Sequence, residues 1–441
     1  MSTPNPIDLK SGHPNSSHLP ALSISRALSS LASSLSSSSS SSACLNYGDE
    51  QGDVPFREEL ATFISAECAG DSLPGGVPSR PADPGDLFVT SGVSHSLDLL
   101  ASVLLSPSVV GALERPRERP LRERPLVLLE SPTYFLAAEI FRSRGAVCKA
   151  APMAPMVAVP LVAVPPPPPS SSTSTSSPPS PSYSGGIDVP SLDRLLSSSH
   201  YSPHSPHSPT ILYIVPSSQN PTGYTYPLSQ RVALCALADK HKLFILADEV
   251  YHHLSWSPSV PSRMSALSPS PFVVSVNSFT KVYSPGLRCG LDRVPVSLPP
   301  LLPLLPRLHK VAGRPSPPSS PSSCGSLWRP GEVTANIRAL VESYERRCTA
   351  VRAALQPLSP VVTVPYVPTG GYFVWLTFSF PSPSHSTGEF CDFLEALPPR
   401  QVPQAPPGRG RAKPTTSEAR TTQSGERGAL GSALRAGRRR S

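Results

Sequence analysis

Residues 272–288 read Phe-Val-Val-Ser-Val-Asn-Ser-Phe-Thr-Lys-Val-Tyr-Ser-Pro-Gly-Leu-Arg, and they decide how the rest of the chain is interpreted. The apolar run Phe272–Val276 predicts a short buried strand, so the polar residues after it fall on a loop at its carboxyl end. On that loop Lys281 follows Ser278 by three residues and precedes Arg288 by seven. The other lysines of the chain lie in ordinary helix, loop or tail contexts.

These three residue types suit a ligand that carries both an aldehyde and a phosphate. Desolvation and nearby cations lower the pKa of a lysine amine and free it to form a Schiff base. The Arg288 guanidinium and the Ser278 hydroxyl can make charge-assisted hydrogen bonds to a phosphate dianion. Taken alone, the stretch also fits a surface lysine beside a loop arginine.

A second buried strand ends in a carboxylate. Residues 245–251 read Ile-Leu-Ala-Asp-Glu-Val-Tyr, which places Asp248 at the strand end and Tyr251 three residues later. A carboxylate there can keep a heterocyclic nitrogen protonated, which makes a pyridine ring an electron sink, and the phenol can reach the ring's exocyclic oxygen. Asp248 is equally suited to be the N-cap of a helix.

Three more strand ends carry candidate groups. Asn220, in Ser-Gln-Asn-Pro-Thr-Gly, can offer its amide to the same ring oxygen, although turn chemistry alone also explains the segment. Val93 and Ser94 open a helix whose backbone N–H groups can bind a phosphate. Tyr134, in Glu-Ser-Pro-Thr-Tyr, can stack its ring on a planar cofactor.

The periodic segments alternate between strand and helix, which predicts an α/β fold with a largely parallel sheet covered on both faces. The predicted strands are Leu87–Thr90, Leu126–Leu129, Thr210–Val215, Leu243–Ala247 and Phe272–Val276, followed by Val361–Val367 and Tyr372–Phe378 in a smaller subdomain. The predicted helices are Phe56–Ile64, Ser94–Leu105, Tyr134–Arg144, Leu228–His241 and Val333–Leu355. In such a fold the chemistry is expected at the carboxyl ends of the parallel strands.

Low-complexity tracts interrupt this pattern. Four of them are treated as insertions, namely Ser33–Ser42, Glu114–Pro125, Pro165–Ser182 and Pro315–Ser323. The predicted organisation is an N-terminal arm over 1–50, a large domain over 51–300 with insertions near 106–125 and 155–183, a Pro/Ser-rich segment over 301–330, a small and incomplete subdomain over 331–398, and a basic disordered tail over 399–441.

Composition excludes several classes of protein. The chain has 441 residues, 59 prolines and a formal net charge of +8. Residues 399–441 contain ten basic and two acidic residues, so the net charge of this tail equals the net charge of the whole chain. Since this charge lies on a tail without interleaved aromatics, no nucleic-acid partner is expected.

The remaining signals favour a soluble cytoplasmic protein. The start of the chain has no basic region followed by an apolar one, and Leu301–Leu305 is interrupted by Pro303 and too short to span a bilayer. The eight cysteines contain no C-x-x-C pair, so no zinc site or redox dithiol is expected. Neither a membrane nor a metal partner is therefore predicted.

Taken in their order, these motifs resemble the class I/II aminotransferases, which are pyridoxal-phosphate enzymes of fold type I. The resemblance runs from Ile7 to about Leu397 and also includes Gly12-His13-Pro14 and the segment Asn46-Tyr47-Gly48. It implies a large domain with a mostly parallel sheet sandwiched by helices, and a smaller α+β subdomain formed by the N-terminal and C-terminal segments. It also implies a homodimer that moves an amino group between an α-amino acid and a 2-oxo acid.

The resemblance assigns a role to each matching residue. Lys281 would form the Schiff base with pyridoxal 5'-phosphate and then move the proton of the substrate Cα. Asp248 would pair with the pyridine nitrogen, and Gly12 and Asn220 would lie beside the substrate. The other cofactor contacts would come from Asn220 and Tyr251 at the ring oxygen, Tyr134 on the ring, and Val93, Ser94, Ser278, Arg288 and the partner subunit's Tyr47 at the phosphate.

Three places depart from the family pattern. Val93 stands where the family usually has a polar residue, although backbone amides can still bind the phosphate. Beyond Ala396 no Arg-Leu strand follows, so the arginine that clamps the substrate carboxylate is not found. After Gly290 the family continues with a short strand, whereas here Asp292-Arg293 precedes a Pro-rich stretch. A non-catalytic or truncated cofactor-binding dimer, or a lyase or synthase on the same scaffold, therefore stays open as an alternative.

Overall fold

A seven-stranded sheet of short, mostly apolar strands forms the centre of the structure. The computed structural model describes residues 12, 14–37, 48–67, 80–105, 124–156, 185–198, 210–267, 270–294, 329–364 and 366–379. The strands of the sheet are β1 (Leu87–Thr90), β2 (Leu126–Leu129), β3 (Val147–Ala150), β4 (Ile211–Ile214), β5 (Phe244–Asp248), β6 (Val273–Ser278) and β7 (Gly290–Arg293). Two further strands, β8 (Val362–Thr363) and β9 (Thr377–Phe378), pair with each other.

The strand order is β1-β7-β6-β5-β4-β2-β3. The pairs β6–β5, β5–β4, β4–β2 and β2–β3 are parallel, whereas β7 runs antiparallel to both of its neighbours. Strands β1, β4 and β6 are buried along their whole length, as expected for strands covered on both faces. The predicted α/β architecture with a mostly parallel sheet is confirmed.

Helices pack on both faces of this sheet. Their bounds are α1 (Ala21–Ser37), α2 (Val54–Glu67), α3 (Val93–Leu104), α4 (Phe135–Ser143), α5 (Val189–Ser197), α6 (Leu228–His241), α7 (Met264–Leu267) and α8 (Pro330–Leu355). One apolar cluster joins the sheet to α2, α3, α4 and α8, and a second joins it to α5, α6 and α7. None of the described helices has the length and apolar composition needed to cross a membrane.

Several elements differ from the sequence-based prediction. β3, β7, α1, α5 and α7 were not predicted, and the two predicted C-terminal strands are reduced to the two-residue strands β8 and β9. β3 escapes the pattern because its residues are partly exposed rather than buried. α1 continues to Ser37, so the first five residues of the predicted serine insertion are helical rather than loop.

The contacts divide the chain into two units, Pro14–Phe378 and Met1–His13 together with Ser379–Ser441. Gly12 and Ser379 are the described residues of the second unit. The finer division into a large domain and a small subdomain stays a prediction. Most of the predicted insertions, residues 295–328 and the basic tail lie outside the described residues.

Gly290 sits at a point where the chain has no room for a side chain. In the sheet register it lies opposite Thr90 on one side and Ser278 on the other. A Cβ atom at this position would lie 2.5 Å from the Gly92 Cα and 2.6 Å from the Thr90 hydroxyl. The close approach of β7 to the loop after β1 therefore depends on glycine.

We expect Gly290→Ala to lower the free energy of unfolding by roughly 1–3 kcal/mol, because backbone must move to admit the methyl group. Urea unfolding followed by circular dichroism measures the change. Gly331→Ala is the matched control, since nothing lies within 4 Å of a Cβ atom there and alanine favours the helix. Equal stability of the two variants would contradict the packing argument.

Candidate active site

The candidate residues meet at one edge of the sheet, where five strands end. β1 leads to Gly92, β2 to Tyr134, β4 to Asn220, β5 to Asp248 and β6 to Lys281. These residues therefore lie together at the carboxyl ends of the strands, where the sequence analysis expected the chemistry.

Asp248 is a buried carboxylate at this edge of the sheet. Its side chain is 4% exposed, and its Oδ2 accepts a 2.7 Å hydrogen bond from the Tyr213 hydroxyl. Burial raises the pKa of Asp248 to about 6, while the Tyr213 hydrogen bond acts in the opposite direction. At neutral pH the group is mainly a desolvated carboxylate, which is stabilised by any cation placed beside it.

Lys281 lies on the loop that follows β6. Burial lowers the pKa of its amine; the Asp248 carboxylate opposes this shift and the Arg288 guanidinium adds to it. Helix α8 holds the loop, because the Asn336 side-chain amide donates a 2.9 Å hydrogen bond to the Val282 main-chain oxygen. An amine with reduced proton affinity on an anchored loop is suited to nucleophilic attack on a carbonyl.

A small cup lined by the Arg288 guanidinium and the Ser278 hydroxyl lies around Gly92. A Cβ atom on Gly92 would lie 3.3 Å from a terminal nitrogen of Arg288 and 3.4 Å from the Ser278 hydroxyl. The Ser278 hydroxyl is held by a 3.0 Å hydrogen bond to the Cys289 main-chain oxygen. Val93 is the first residue of α3, so the cup also faces the N–H groups of a helix amino terminus.

Two tyrosines and their partners line the same edge. Burial raises the pKa of both Tyr134 and Tyr251, so both phenols stay protonated at neutral pH. The Ser94 side chain opposes this rise in pKa at Tyr134, and the Asn220 side chain opposes it at Tyr251. The predicted residues therefore lie in two neighbouring pairs, Ser94 with Tyr134 and Asn220 with Tyr251.

Sequence reasoning missed the group that braces the Asn220 loop. Glu130 is 2% exposed and accepts hydrogen bonds from the Tyr226 hydroxyl at 2.6 Å and the Val215 main-chain N–H at 2.8 Å. The Gln219 amide donates a 2.7 Å bond to the Pro132 main-chain oxygen. These contacts tie the loop after β4 to the loop after β2. Burial raises the pKa of Glu130 to about 8.

Tyr213, Asp292 and Tyr372 were also missed. A tyrosine inside an otherwise apolar strand signals a phenol that needs a partner, and this signal could have identified Tyr213. Asp292 lies on β7 opposite Val276, which itself lies opposite Asp248, so both carboxyl groups are on the same face of the sheet. Burial raises the pKa of Asp292 to about 8, with a smaller opposing effect of the Ser96 hydroxyl.

Two of the predicted residues are not placed at this edge. Tyr47 lies outside the described residues, and Gly12 belongs to the unit formed by Met1–His13 and Ser379–Ser441. The segment beyond Ala396, where the carboxylate-binding arginine was sought, is likewise outside the described residues.

The arrangement agrees with comparisons to known proteins. The profile of the family described as Aminotransferase class I and II matches residues 175–381, which include Asn220, Asp248, Lys281 and Arg288. Over these residues the chain is similar to the class I and II aminotransferases.

The chain is 26% identical over 407 residues to an uncharacterised protein of Saccharomyces cerevisiae, covering 84% of the chain and 82% of that protein. It is 25% identical over 335 residues to a 2-aminoadipate transaminase of Thermus thermophilus, covering 75% of the chain and 66% of that enzyme. The chain thus spans just under two thirds of the length of this second relative.

The fold of this chain is also found in solved structures. The crystal structure of the α-aminoadipate aminotransferase of Thermus thermophilus, complexed with N-(5'-phosphopyridoxyl)-L-leucine, superposes with a TM-score of 0.62. The two sequences are 24% identical, and the match covers 88% of this chain and 80% of that one. The fold is that of the pyridoxal-phosphate-dependent transferases of fold type I.

Asp292 gives a prediction for stability. Its pKa of about 8 in the folded chain exceeds the ordinary value of about 3.9, so the folded state holds the proton more tightly. Its contribution to stability therefore falls as pH rises between these two values. We expect Asp292→Asn to gain stability relative to the natural chain between pH 5 and pH 8, by at least about 1 kcal/mol.

Urea unfolding across that pH range measures the gain. Glu59→Gln is the control, because Glu59 is exposed on α2. Parallel pH profiles for Asp292→Asn and the natural chain would refute the assignment.

Proposed function

We propose that this chain is a pyridoxal-phosphate-dependent transaminase that moves an amino group between an α-amino acid and a 2-oxo acid. The observation that carries the proposal is the pairing of two perturbed groups at one edge of the sheet. Asp248 is a buried carboxylate and Lys281 a partly desolvated amine, and each influences the pKa of the other. The Gly92 cup adds an anion site beside them.

The residues present fit pyridoxal 5'-phosphate. Asp248 would hold the protonated ring nitrogen, and Tyr251 and Asn220 would hold the ring oxygen. The N–H groups at Val93, together with Ser94, Ser278 and Arg288, would hold the phosphate, and the Tyr134 ring would cover the cofactor ring. When bound, the cofactor would supply an electron sink that makes the Cα–H bond of an amino acid acidic.

The chain's own groups supply the proton transfers. Burial and Arg288 reduce the proton affinity of the Lys281 Nζ atom, which suits a base that removes the proton from the substrate Cα and later returns it. Tyr213 keeps Asp248 in place through its 2.7 Å hydrogen bond. Tyr251 stays protonated and can donate its hydroxyl hydrogen to an oxygen anion.

The substrate class follows from relatives and is part of the proposal. One relative is a 2-aminoadipate transaminase and another an aromatic-amino-acid aminotransferase. We therefore infer a donor with a long or aromatic side chain, to be identified from a panel of amino acids. A homodimer in the cytoplasm, with Tyr47 reaching the neighbouring cofactor, completes the proposal.

Lys281→Ala tests the central step. The natural chain, mixed with pyridoxal phosphate and reduced with borohydride, is expected to retain a pyridoxyl group on the peptide that contains Lys281. Lys281→Ala removes the amine and is expected to retain none. Lys149→Ala is the control, because Lys149 is exposed on the edge strand β3. Peptide mass spectrometry gives the answer, and labelling that persists in Lys281→Ala would overturn the assignment.

Asp248→Asn tests the second group. An amide cannot hold the ring nitrogen in its protonated form, so we expect amino transfer to fall roughly 100-fold or more while the pyridoxyl label on Lys281 persists. The rate is measured with an amino acid panel and a 2-oxo acid acceptor. A cofactor band that never responds to any donor in the natural chain would favour the non-catalytic alternative, and release of the substrate side chain would favour a lyase.

A further inference from the structure

Tyr372 contacts the candidate lysine with both its hydroxyl and its ring. The Tyr372 hydroxyl donates a 2.8 Å hydrogen bond to the main-chain oxygen of Lys281. The Lys281 Nζ atom lies 5.4 Å from the centroid of the Tyr372 ring. One side chain therefore touches the lysine at its main chain and at its amine.

The backbone around Tyr372 is fixed by the loop after β5. The Gly371 N–H donates to the Leu254 main-chain oxygen at 2.9 Å, and the Trp256 N–H donates to the Thr369 main-chain oxygen at 2.9 Å. A Cβ atom on Gly370 would lie 2.6 Å from the Ser218 hydroxyl. The two glycines before Tyr372 thus allow the segment to lie directly against the loops that carry the site.

Other aromatic rings hold the Tyr372 ring at this place. Tyr251 lies 5.7 Å away between ring centroids, and Tyr344 of α8 packs edge-on at 5.1 Å. The Tyr344 hydroxyl donates a 3.4 Å hydrogen bond to the Tyr372 hydroxyl. Burial raises the pKa of Tyr372 well above its ordinary value, so the phenol is neutral and its ring face can attract a cation.

The charged groups near the Lys281 amine come from two elements. Asp248, at the end of β5, favours the protonated amine, and Arg288, before β7, disfavours it. Tyr251 and Tyr344 are neutral phenols, since burial raises the pKa of each. The Tyr372 ring adds an uncharged aromatic face whose centroid lies 5.4 Å from this amine.

We propose that Tyr372 is a positioning residue for Lys281: its hydroxyl fixes the lysine main chain, and its ring face holds the ammonium whenever the amine is unbonded. The inference rests on the proposed function of Lys281 as the group that bonds the cofactor and then acts as a base. In that function the freed amine must stay near the substrate Cα, and the Tyr372 ring gives it a defined position there.

The ring has a measurable effect on the amine. A cation near an aromatic face is stabilised, which raises the pKa of Lys281 and offsets part of the lowering by burial and Arg288. For contacts of this kind the expected size is about 0.5–1.5 pKa units.

The test is trace acetylation of the full-length, cofactor-free chain with acetic anhydride over a range of pH. Acetylation requires the unprotonated amine, so the labelling of the Lys281 peptide against pH gives the pKa of that amine. The exposed Lys149 serves as an internal reference in the same digest. Added pyridoxal phosphate is expected to protect Lys281, which shows that the label reports the site.

Three variants separate the two contacts. Tyr372→Leu removes the ring, and we expect the pKa of Lys281 to fall by about 0.5–1.5 units. Tyr372→Phe keeps the ring and removes the hydroxyl, so the pKa is expected to stay close to that of the natural chain, while the limiting labelling rate at high pH rises because the main chain is released. Tyr344→Phe removes the neighbouring hydroxyl alone and is expected to change neither quantity.

The outcomes are distinguishable. An unchanged pKa of Lys281 in Tyr372→Leu overturns the inference, as does an equal fall in Tyr372→Phe. If Tyr372→Leu does not fold by circular dichroism, Tyr372→Met takes its place with the same expected shift. A pKa shift without any amino transfer by the natural chain would leave the Tyr372 inference standing and count against the proposed function alone.

Discussion

The placement of a carboxylate at the buried end of the central strand β5 is the constraint on which the rest of this structure depends. The Asp248 side chain is removed from water at the end of the middle strand of the sheet. An isolated charge there costs several kcal/mol unless partners compensate it. Tyr213 from the next strand supplies a hydrogen bond, and Lys281 supplies an opposite charge. The same desolvation that makes the Asp248 charge costly gives the carboxylate a strong preference for a cation placed beside it.

A second set of contacts keeps the loops of the site in one arrangement. Glu130 joins the loops after β2 and β4, while the segment around Gly370 and Gly371 lies against the loops after β4 and β5. Tyr372, the next residue of that segment, donates a hydrogen bond to Lys281 in the loop after β6. Four loops are thus cross-connected by hydrogen bonds, which limits their independent movement.

Local pattern was sufficient for much of the fold and for the placement of the candidate residues at one edge of the sheet. β1 and β2 were predicted residue for residue, because buried strands are continuous apolar runs. β7 was missed because Asp292 and Arg293 are charged residues in a buried strand. The position of Asp248, Asn220 and Lys281 followed from their place after strands, since parallel strands end at one edge. Tyr213 could have been identified as a phenol in an apolar strand, but its partner Asp248 could not be assigned to it and Tyr372 could not be predicted, because these contacts join segments that are distant in sequence.

The reversed direction of β7 also has a mechanical consequence. The chain leaves the sheet at Ser278, the end of β6, and re-enters it at Gly290, the start of the adjacent β7. Lys281 and Arg288 therefore lie on a single loop, and the two ends of this loop are paired with each other in the sheet. Bending or twisting of the wider sheet would therefore move the Lys281 amine and the Arg288 guanidinium together. Their mutual spacing is insulated from distortions elsewhere in the molecule, including those at the sites where the low-complexity tracts are inserted.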